Sequence, residues 1–270
     1  MSRRPKLIAT DLDGTIVQHN GTISTRTIDV FTRAHAMGIH IFFVTGRPPR
    51  WMDEIRDAFG FGSAICANGA MLYDLQTGTV TQEWMISQED QIEIAHRLRP
   101  AMPGVSFAVE AHDYYYREKS YTPRWDVGLD NVGVLKIEDV IKDPALKMLA
   151  RCSGGELTSD QMLAIATREL DALATVTHSN SRDSLLEISA LGISKGATLS
   201  VVASRLKIDA SECVSFGDNP NDFSMLRWCG RSFAMADGHP EGFSHASGIA
   251  PACADDGVAE VLEKLLELPA

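Results

Sequence analysis

Short apolar runs alternate with amphipathic segments in the first 70 residues of the chain. The apolar runs cover 7–10, 39–44 and 64–67, and helix-like patterns at 24–37 and 48–59 separate them. Strands that are apolar on both sides and separated by helices are typical of a parallel sheet with helices on its two faces. The pattern therefore predicts an α/β fold with a Rossmann-like parallel sheet core.

The same pattern returns near the C-terminal end, after a different middle region. The later segment predicts helices over 194–206, 222–228 and 258–268 and strands over 213–216 and 232–235. The middle region predicts helices, strands and one alternating aromatic stretch, at 89–98, 105–117, 145–150, 160–173 and 175–177. We therefore expect a core built from residues 1–82 and 183–270, with an inserted α+β cap domain over 83–182.

Composition narrows the classes of partner. The chain has 270 residues and a net charge of −11, with 44% hydrophobic and 23% charged residues. This charge disfavours nucleic acid and anionic membranes as main partners. No apolar stretch approaches the ~20 residues of a membrane span. The apolar stretch that ends before Asp11 is too short for the apolar region of a secretory signal. We expect a soluble cytoplasmic protein, a monomer or small homo-oligomer, whose five scattered cysteines are buried thiols outside any disulfide framework.

Carboxylates follow two of the predicted core strands. Asp11 and Asp13 follow the first strand in DLDGT, and Asp218 and Asp222 follow a later one in GDNPND. Because the carboxyl ends of parallel strands share one edge of a sheet, these side chains should converge, and their repulsion then requires a cation. Oxygen ligands without a His or Cys cluster favour Mg²⁺ over zinc.

Each acidic segment taken alone has a simpler explanation. Asp-Gly is a common turn, and Asp218 and Asp222 suit a solvated helix cap. A calcium loop would need glycine and glutamate at its sixth and twelfth positions, where counting from Asp11 gives Ile16 and Thr22. The two segments together favour the magnesium site.

Two further groups could hold an anion at the same edge. Thr45 ends the second strand, and its hydroxyl and the amides of the turn at Gly46 can donate to a phosphate oxygen. Lys195 begins a predicted helix and can neutralise both a carboxylate and a phosphate. With the acidic residues, they predict a site for phosphoryl transfer.

The ordered motifs resemble those of the haloacid dehalogenase-like phosphohydrolases, specifically the Cof-type subfamily with a C2-type cap. The matching segments are DLDGT at 11–15, TGR at 45–47, the Asn68-Gly69 pair, SKG at 194–196 and GDNPND at 217–222. One segment departs from the family, because this chain has Asp237-Gly238 where AMGNA is usual.

The resemblance implies a magnesium-dependent phosphatase. Asp11 would be the nucleophile that forms an aspartyl phosphate, and Asp13 would be the general acid and then the base. Mg²⁺ would be held by Asp11, the Asp13 backbone carbonyl and Asp218, with Asp222 orienting waters or Lys195. The expected catalytic residues are therefore Asp11, Asp13, Thr45 and Lys195.

The expected substrates are small phosphorylated metabolites such as sugar phosphates, over which the inserted cap would close. The expected substrate-binding residues are Thr45, Gly46, Arg47, Asn68, Arg182, Lys195 and Asn221. A phosphomutase of the same family and a non-catalytic sensor of phosphorylated ligands remain alternatives. Cap aromatics at 114–116 fit strand alternation better than substrate binding, and we expect His112, His178 and His239 to be structural.

Overall fold

A computed structural model describes residues 3–111, 115–123, 131–152, 154 and 157–269. His112 and Tyr114, for which we made predictions, lie outside the described residues.

The elements of the described residues follow, in chain order. The strands are β1 Leu7–Thr10, β2 His40–Val44, β3 Ser63–Cys66, β4 Met71–Asp74, β5 Thr79–Glu83, β6 Val105–Glu110, β7 Tyr115–Arg117, β8 Lys147–Cys152, β9 Ala174–Thr177, β10 Leu185–Ala190, β11 Cys213–Gly217, β12 Arg231–Met235 and β13 Gly248–Ala250. The α-helices are α1 Thr25–Ala36, α2 Asp53–Phe59, α3 Gln88–Ala101, α4 Ser159–Glu169, α5 Lys195–Arg205, α6 Phe223–Trp228, α7 Gly242–His245 and α8 Gly257–Leu266. Short 3₁₀ turns include Pro49–Trp51, Ala67–Gly69 and Pro220–Asp222.

The chain divides into two units. The first unit comprises Met1–Gln82 and Ser194–Ala270, and the second comprises Glu83–Ile193. Within the described residues, every helix is too short or too polar to cross a bilayer.

The first unit is built on a mainly parallel sheet, as the sequence predicts. Its strand order is β13-β12-β11-β1-β2-β3-β4-β5, and β1 pairs in parallel with both β2 and β11. The strand β4 turns back antiparallel to β3, which the sequence pattern did not predict. The α/β fold class is confirmed. The carboxyl ends of β1, β2, β3 and β11 lie at one edge of this sheet.

Both faces of this sheet are covered by helices. On one face, Leu199 and Val202 of α5 pack with Leu7 and Val44 in one apolar cluster. On the other, Phe31 of α1 lies 5.9 Å from Phe43 of β2, measured between ring centroids. A strand covered on two faces must be apolar throughout, which explains why the strands read as continuous apolar runs.

Serine caps fix where two helices of the first unit begin. The Ser24 side chain accepts a hydrogen bond from the Thr27 backbone, and the Ser194 side chain accepts one from the Ala197 backbone. These bonds satisfy backbone donors that would otherwise have no helical partner. The second cap makes Lys195 the first residue of α5.

The described part of the second unit forms a five-stranded antiparallel sheet of order β7-β6-β8-β10-β9 with two α-helices, α3 and α4. Ile94 of α3 and Met162 of α4 belong to an apolar cluster that includes Phe107 and Met148 of the sheet. On the strands, Lys147 and Glu187 form a buried ion pair at 2.6 Å. Tyr115 and Tyr116 lie on β7 and pair with Glu110 and Val109, as expected of a strand.

The second unit ends later in the chain than the sequence-based boundary at 182/183. Strand β10 pairs antiparallel with both β8 and β9, so it belongs to the second unit's sheet, and the first unit resumes at Ser194. The physical reason is that membership of a sheet is decided by strand pairing between distant segments. An apolar run such as 185–190 does not carry that information.

Gly196 permits the close approach of α5 to α6. A Cβ at this position would lie 2.3 Å from the Ser224 backbone oxygen. We expect Gly196→Ala to lower the free energy of unfolding by about 1–3 kcal/mol, because backbone must shift to accept the methyl group. Urea denaturation measures the change.

The control is Gly242→Ala at the start of α7. A Cβ there would meet its nearest neighbours at 3.5 Å, an ordinary contact. Equal denaturation midpoints for Gly196→Ala and the unmodified protein would contradict the close approach.

Candidate active site

Four strands of the first unit deliver polar side chains to one edge of its sheet. Asp11 directly follows β1, Thr45 follows β2 and Asp218 follows β11. Asn68 lies in the 3₁₀ turn after β3, and Lys195 is the first residue of α5. The convergence expected from a parallel sheet is therefore present.

The centre of this edge is a buried lysine between two carboxylates. Lys195 Nζ donates to Asp11 Oδ1 at 2.5 Å and to Asp222 Oδ1 at 2.6 Å, and the lysine side chain is 0% exposed. Burial alone lowers the pKa of Lys195, but the two adjacent carboxylates raise it above its usual value. The ammonium is therefore charged, and it couples Asp11 to a segment about two hundred residues away in sequence.

Asp222 also organises the turn that carries Asp218. Its second oxygen, Oδ2, accepts hydrogen bonds from the backbone of Asp218 at 3.0 Å and of Asn219 at 3.1 Å. Gly217 is required here, because a Cβ on it would lie 2.4 Å from the Asp222 Cβ. Asp222 therefore holds both the lysine and the backbone of the neighbouring acidic residue.

Three carboxylates of this site form a group that fits a cation. Asp11, Asp218 and Asp222 each offer an oxygen, and these oxygens lie within 4.8 Å of one another. Asp218 Oδ1 is buried and has no hydrogen-bond partner among the described residues. A buried acceptor without a donor is costly unless a cation occupies the position. An all-oxygen donor set of this kind suits Mg²⁺.

The pKa values of the acidic residues reflect the same crowding. Burial, then the charge of Asp222, raises the pKa of Asp11 to about 7 despite the opposing effect of Lys195. Burial and the neighbouring charges of Asp11 and Asp222 raise the pKa of Asp218 well above its usual value. Lys195 thus offsets part of the negative charge, and the remainder calls for a further cation.

The backbone around the acidic group leaves little room. Gly14 has a φ of +82°, and a Cβ there would lie 2.5 Å from Asp218 Oδ2. A Cβ on Gly238 would lie 2.6 Å from the Asp218 backbone oxygen. The same oxygen accepts a hydrogen bond from the His239 backbone at 2.6 Å. The chain's departure from the AMGNA pattern therefore places glycine where it must pack against Asp218. In the sequence, the departure from the AMGNA pattern was the only sign of this contact.

Thr45, Asn68 and Asn221 lie near one another at the same edge. The Asn68 backbone donates to the Thr45 carbonyl at 3.0 Å, and Asn221 Nδ2 donates to Asn68 Oδ1 at 3.1 Å. Asn68 has a φ of 57°, in the left-handed region that Asn tolerates better than most residues. The Thr45 hydroxyl accepts from the Arg47 backbone at 3.0 Å, which leaves its own proton available to a ligand.

Asp13 lies outside the group of three carboxylates. Its side chain is 60% exposed and receives two hydrogen bonds from the Arg47 guanidinium, which also contacts Glu54. The sequence-based set of metal residues, Asp11, Asp13, Asp218 and Asp222, therefore separates into three grouped carboxylates and one that faces an arginine. Glu54 was not predicted, and no motif in the sequence marks it.

The remaining predicted residues are less informative. Gly46 is half-buried in the turn after Thr45. Arg182 is an exposed residue of the second unit whose backbone donates to Asn180 Oδ1 at 2.9 Å, so its contact with substrate stays a prediction. His178 pairs with Asp160 at 2.8 Å, in keeping with a structural role.

Comparison with known proteins identifies the family. A family model of haloacid dehalogenase (HAD)-like hydrolases matches residues 8–262. The chain belongs to this family, so the predicted family and the hydrolase class are confirmed.

Relatives and solved structures extend over nearly the whole chain. The 5-amino-6-(5-phospho-D-ribitylamino)uracil phosphatase YcsE of Bacillus subtilis is 25% identical over 259 residues, which cover 95% of this chain and 94% of YcsE. The HMP-PP phosphatase of Enterobacter sp. (strain 638) is 23% identical over 278 residues, covering 98% of this chain and 97% of that protein. The structure of the HAD subclass IIB sugar phosphatase BT4131 has a TM-score of 0.77 at 20% identity and covers 96% of this chain and 98% of that one. This last likeness shows a shared fold.

The raised pKa of Asp11 gives a prediction for the metal-free protein. Because its pKa is about 7 in the folded state against 3.8 ordinarily, Asp11 lowers the stability of the fold as pH rises between these values. At pH 8 with a chelator, we expect Asp11→Asn to raise the free energy of unfolding by on the order of 3 kcal/mol. At pH 5 the gain should be much smaller, and urea denaturation at the two pH values tests this.

The matched control is Asp57→Asn, an exposed carboxylate of α2. It should change the stability little at either pH. A stabilisation by Asp11→Asn that is the same at pH 5 and pH 8 would show that ionisation of Asp11 is not its cause.

Proposed function

We propose that this protein is a magnesium-dependent phosphatase of small phosphorylated metabolites, working through an aspartyl-phosphate intermediate. The observation that carries the proposal is the buried contact of Lys195 with Asp11, beside two further carboxylates at the same sheet edge. A lysine that touches a candidate nucleophile can also neutralise the phosphate which that nucleophile attacks.

The relatives support the substrate class. YcsE is a phosphatase of a phosphorylated ribitylaminouracil, the Enterobacter relative is an HMP-PP phosphatase, and the structural neighbour BT4131 is a sugar phosphatase. These share a phosphate carried on a small organic molecule, and from them we infer a substrate of that class for this chain.

The first proposed step is attack by Asp11 on phosphorus. One carboxylate oxygen forms the new P–O bond, and the bond to the leaving oxygen breaks. Lys195 keeps the Asp11 carboxylate in place, and the Thr45 hydroxyl and the amides of the turn at Gly46 donate to phosphate oxygens. Asn68 and Asn221 stand beside Thr45 and are placed to contact the same group. Positioning and charge neutralisation supply most of the rate enhancement in such reactions.

Asp13 serves the proposed proton transfers. In the first step its carboxyl group gives a proton to the leaving alkoxide, which departs as an alcohol. In the second step the resulting carboxylate takes a proton from the water that attacks the aspartyl phosphate. That attack releases inorganic phosphate and restores Asp11.

Asp11, Asp218 and the Asp13 backbone carbonyl would hold Mg²⁺, with Asp222 keeping Lys195 and the Asp218 backbone in place. When bound, the ion supplies positive charge that favours the ionised carboxylates and neutralises the phosphate.

Phosphate release from a panel of phosphorylated metabolites, with Mg²⁺ and with a chelator, tests the proposal. We expect release by the unmodified protein with Mg²⁺ and a loss of at least about 10³-fold in Asp11→Asn, because the nucleophile is removed. Asp57→Asn is the control and should retain full activity. Undiminished turnover by Asp11→Asn would contradict the mechanism, and transfer of the phosphoryl group to a product would indicate a mutase.

Magnesium binding gives a separate prediction that needs no substrate. We expect Asp218→Asn to weaken Mg²⁺ binding by at least about tenfold, since changes to residues that merely support metal ligands already cost about this much. Calorimetric titration of the protein with Mg²⁺ measures the affinity. An unchanged affinity would remove Asp218 from the set of ligands.

A further inference from the structure

A single arginine of the first unit joins two carboxylates that come from different elements. Asp13 lies in the loop after β1, Arg47 lies in the loop after β2, and Glu54 is the second residue of α2. The proposed function gives a role to Asp13 but none to Glu54, which belongs to no recognised motif.

The arginine contacts its two partners with different nitrogens. Arg47 Nε donates to Asp13 Oδ2 at 2.8 Å, and Nη2 donates to Asp13 Oδ1 at 2.5 Å. Nη1, the remaining nitrogen of the guanidinium, donates to Glu54 Oε1. Both oxygens of Asp13 are therefore engaged by one rigid planar group, and that group is held from its far end by Glu54.

The backbone of the arginine is fixed as well. Its N–H donates to the Thr45 hydroxyl at 3.0 Å, and its carbonyl accepts from the Ala67 backbone at 2.9 Å. The Arg47 side chain is only 15% exposed, whereas those of Asp13 and Glu54 are 60% and 51% exposed. Arg47 is thus a mostly buried side chain that bridges two solvent-exposed carboxylates.

Stability alone is a poor explanation for this arrangement. Ion pairs with exposed carboxylates contribute little to folding. Geometry is a better one, because the terminal torsion of an aspartate is broad and a carboxylate without a fixed partner samples many orientations. A two-pronged donor selects one of these orientations, and proton transfer to a leaving oxygen depends on that orientation.

We propose that Glu54 is a positioning residue, which acts through Arg47 to orient the carboxyl group of Asp13. The inference rests on the proposed function, in which Asp13 gives a proton to the leaving oxygen. In this role Glu54 acts through its contact with Arg47 and needs no contact with the substrate or the reacting atoms. It keeps the guanidinium of Arg47 turned toward Asp13.

The dependence of the rate on the leaving group separates this role from a structural one. An alkyl phosphate expels a strongly basic alkoxide that needs the proton from Asp13. An aryl phosphate such as 4-nitrophenyl phosphate expels a weakly basic phenolate that leaves without one. The ratio kcat/KM covers the steps up to the first irreversible one, transfer to Asp11, so the later hydrolysis does not obscure the comparison.

We expect Glu54→Ala to lower kcat/KM for an alkyl phosphate by about tenfold, with less than about a twofold change for 4-nitrophenyl phosphate. Glu54→Gln, which keeps an oxygen acceptor for Arg47, should give an intermediate loss. The matched control is Asp53→Ala, because Asp53 is the preceding residue of the same helical turn and pairs with Arg56 at 2.9 Å. It should leave both substrates unaffected.

Equal losses for the two substrates in Glu54→Ala would overturn the proposal, since they would show a general disturbance of the site. So would the absence of any loss, or the same selective loss in Asp53→Ala.

A measurement without substrate keeps this inference distinct from the proposed function. Nuclear magnetic resonance reports the hydrogen exchange of the Arg47 Nε–H, and the resonance is assigned by its disappearance in Arg47→Lys. We expect exchange at least about threefold faster in Glu54→Ala and unchanged exchange in Asp53→Ala, because the group is less firmly held on Asp13.

The two measurements distinguish failure of the proposed function from failure of the positioning role. If the unmodified protein releases phosphate from neither substrate, the proposed function fails, while the exchange rates still decide whether Glu54 holds Arg47 on Asp13. Unchanged exchange in Glu54→Ala would overturn the positioning role even in an active phosphatase.

Discussion

The structure of the first unit depends on one buried ammonium group. Lys195 is fully buried between Asp11 and Asp222, and an ammonium in such a place is tolerable only if a carboxylate is beside it. Its position in turn requires the serine cap at Ser194 and the contact of α5 with α6 at Gly196. The lysine therefore links β1, β11 and α5, and the acidic site forms where these three elements meet.

The order of strands explains why side chains from distant parts of the chain meet at this site. Since β1 lies between β11 and β2, the loops after these three strands are neighbours at one edge. Asp11, Thr45 and Asp218 each directly follow a strand, so their backbones are set by the sheet. Residues fixed in this way lose little entropy when a ligand binds.

Much of the fold was readable from the sequence, because local chemistry decided it. The prediction of a helix over 24–37 matched α1, since serine at the start and apolar spacing along the helix both act locally. The polar, exposed strand β5 was missed because it has no apolar alternation. The sequence-based boundary at 182/183 differs from that of the structure, because the membership of β10 in the second unit's sheet depends on its pairing with β8 and β9.

The site also divides into residues that the local sequence marks and residues that only long-range contacts mark. Ordered motifs were enough to select Asp11, Lys195 and Asp218, since each is marked by its neighbours in sequence. Nothing near Glu54 marks it, because its importance arises only from its contact with Arg47. A residue whose partner is chosen by the packing of a helix against a loop is invisible until the coordinates are known.

The central position of β1 also bears on how the protein is made. Its partner β11 is some two hundred residues further along, so the nascent chain must leave the ribosome almost entirely before that pairing can form. The second unit is continuous in sequence and can complete its sheet while synthesis proceeds. During that interval β1 can pair with β2 but not with β11, so one of its edges stays open, and a chaperone that binds short apolar segments would find its target there.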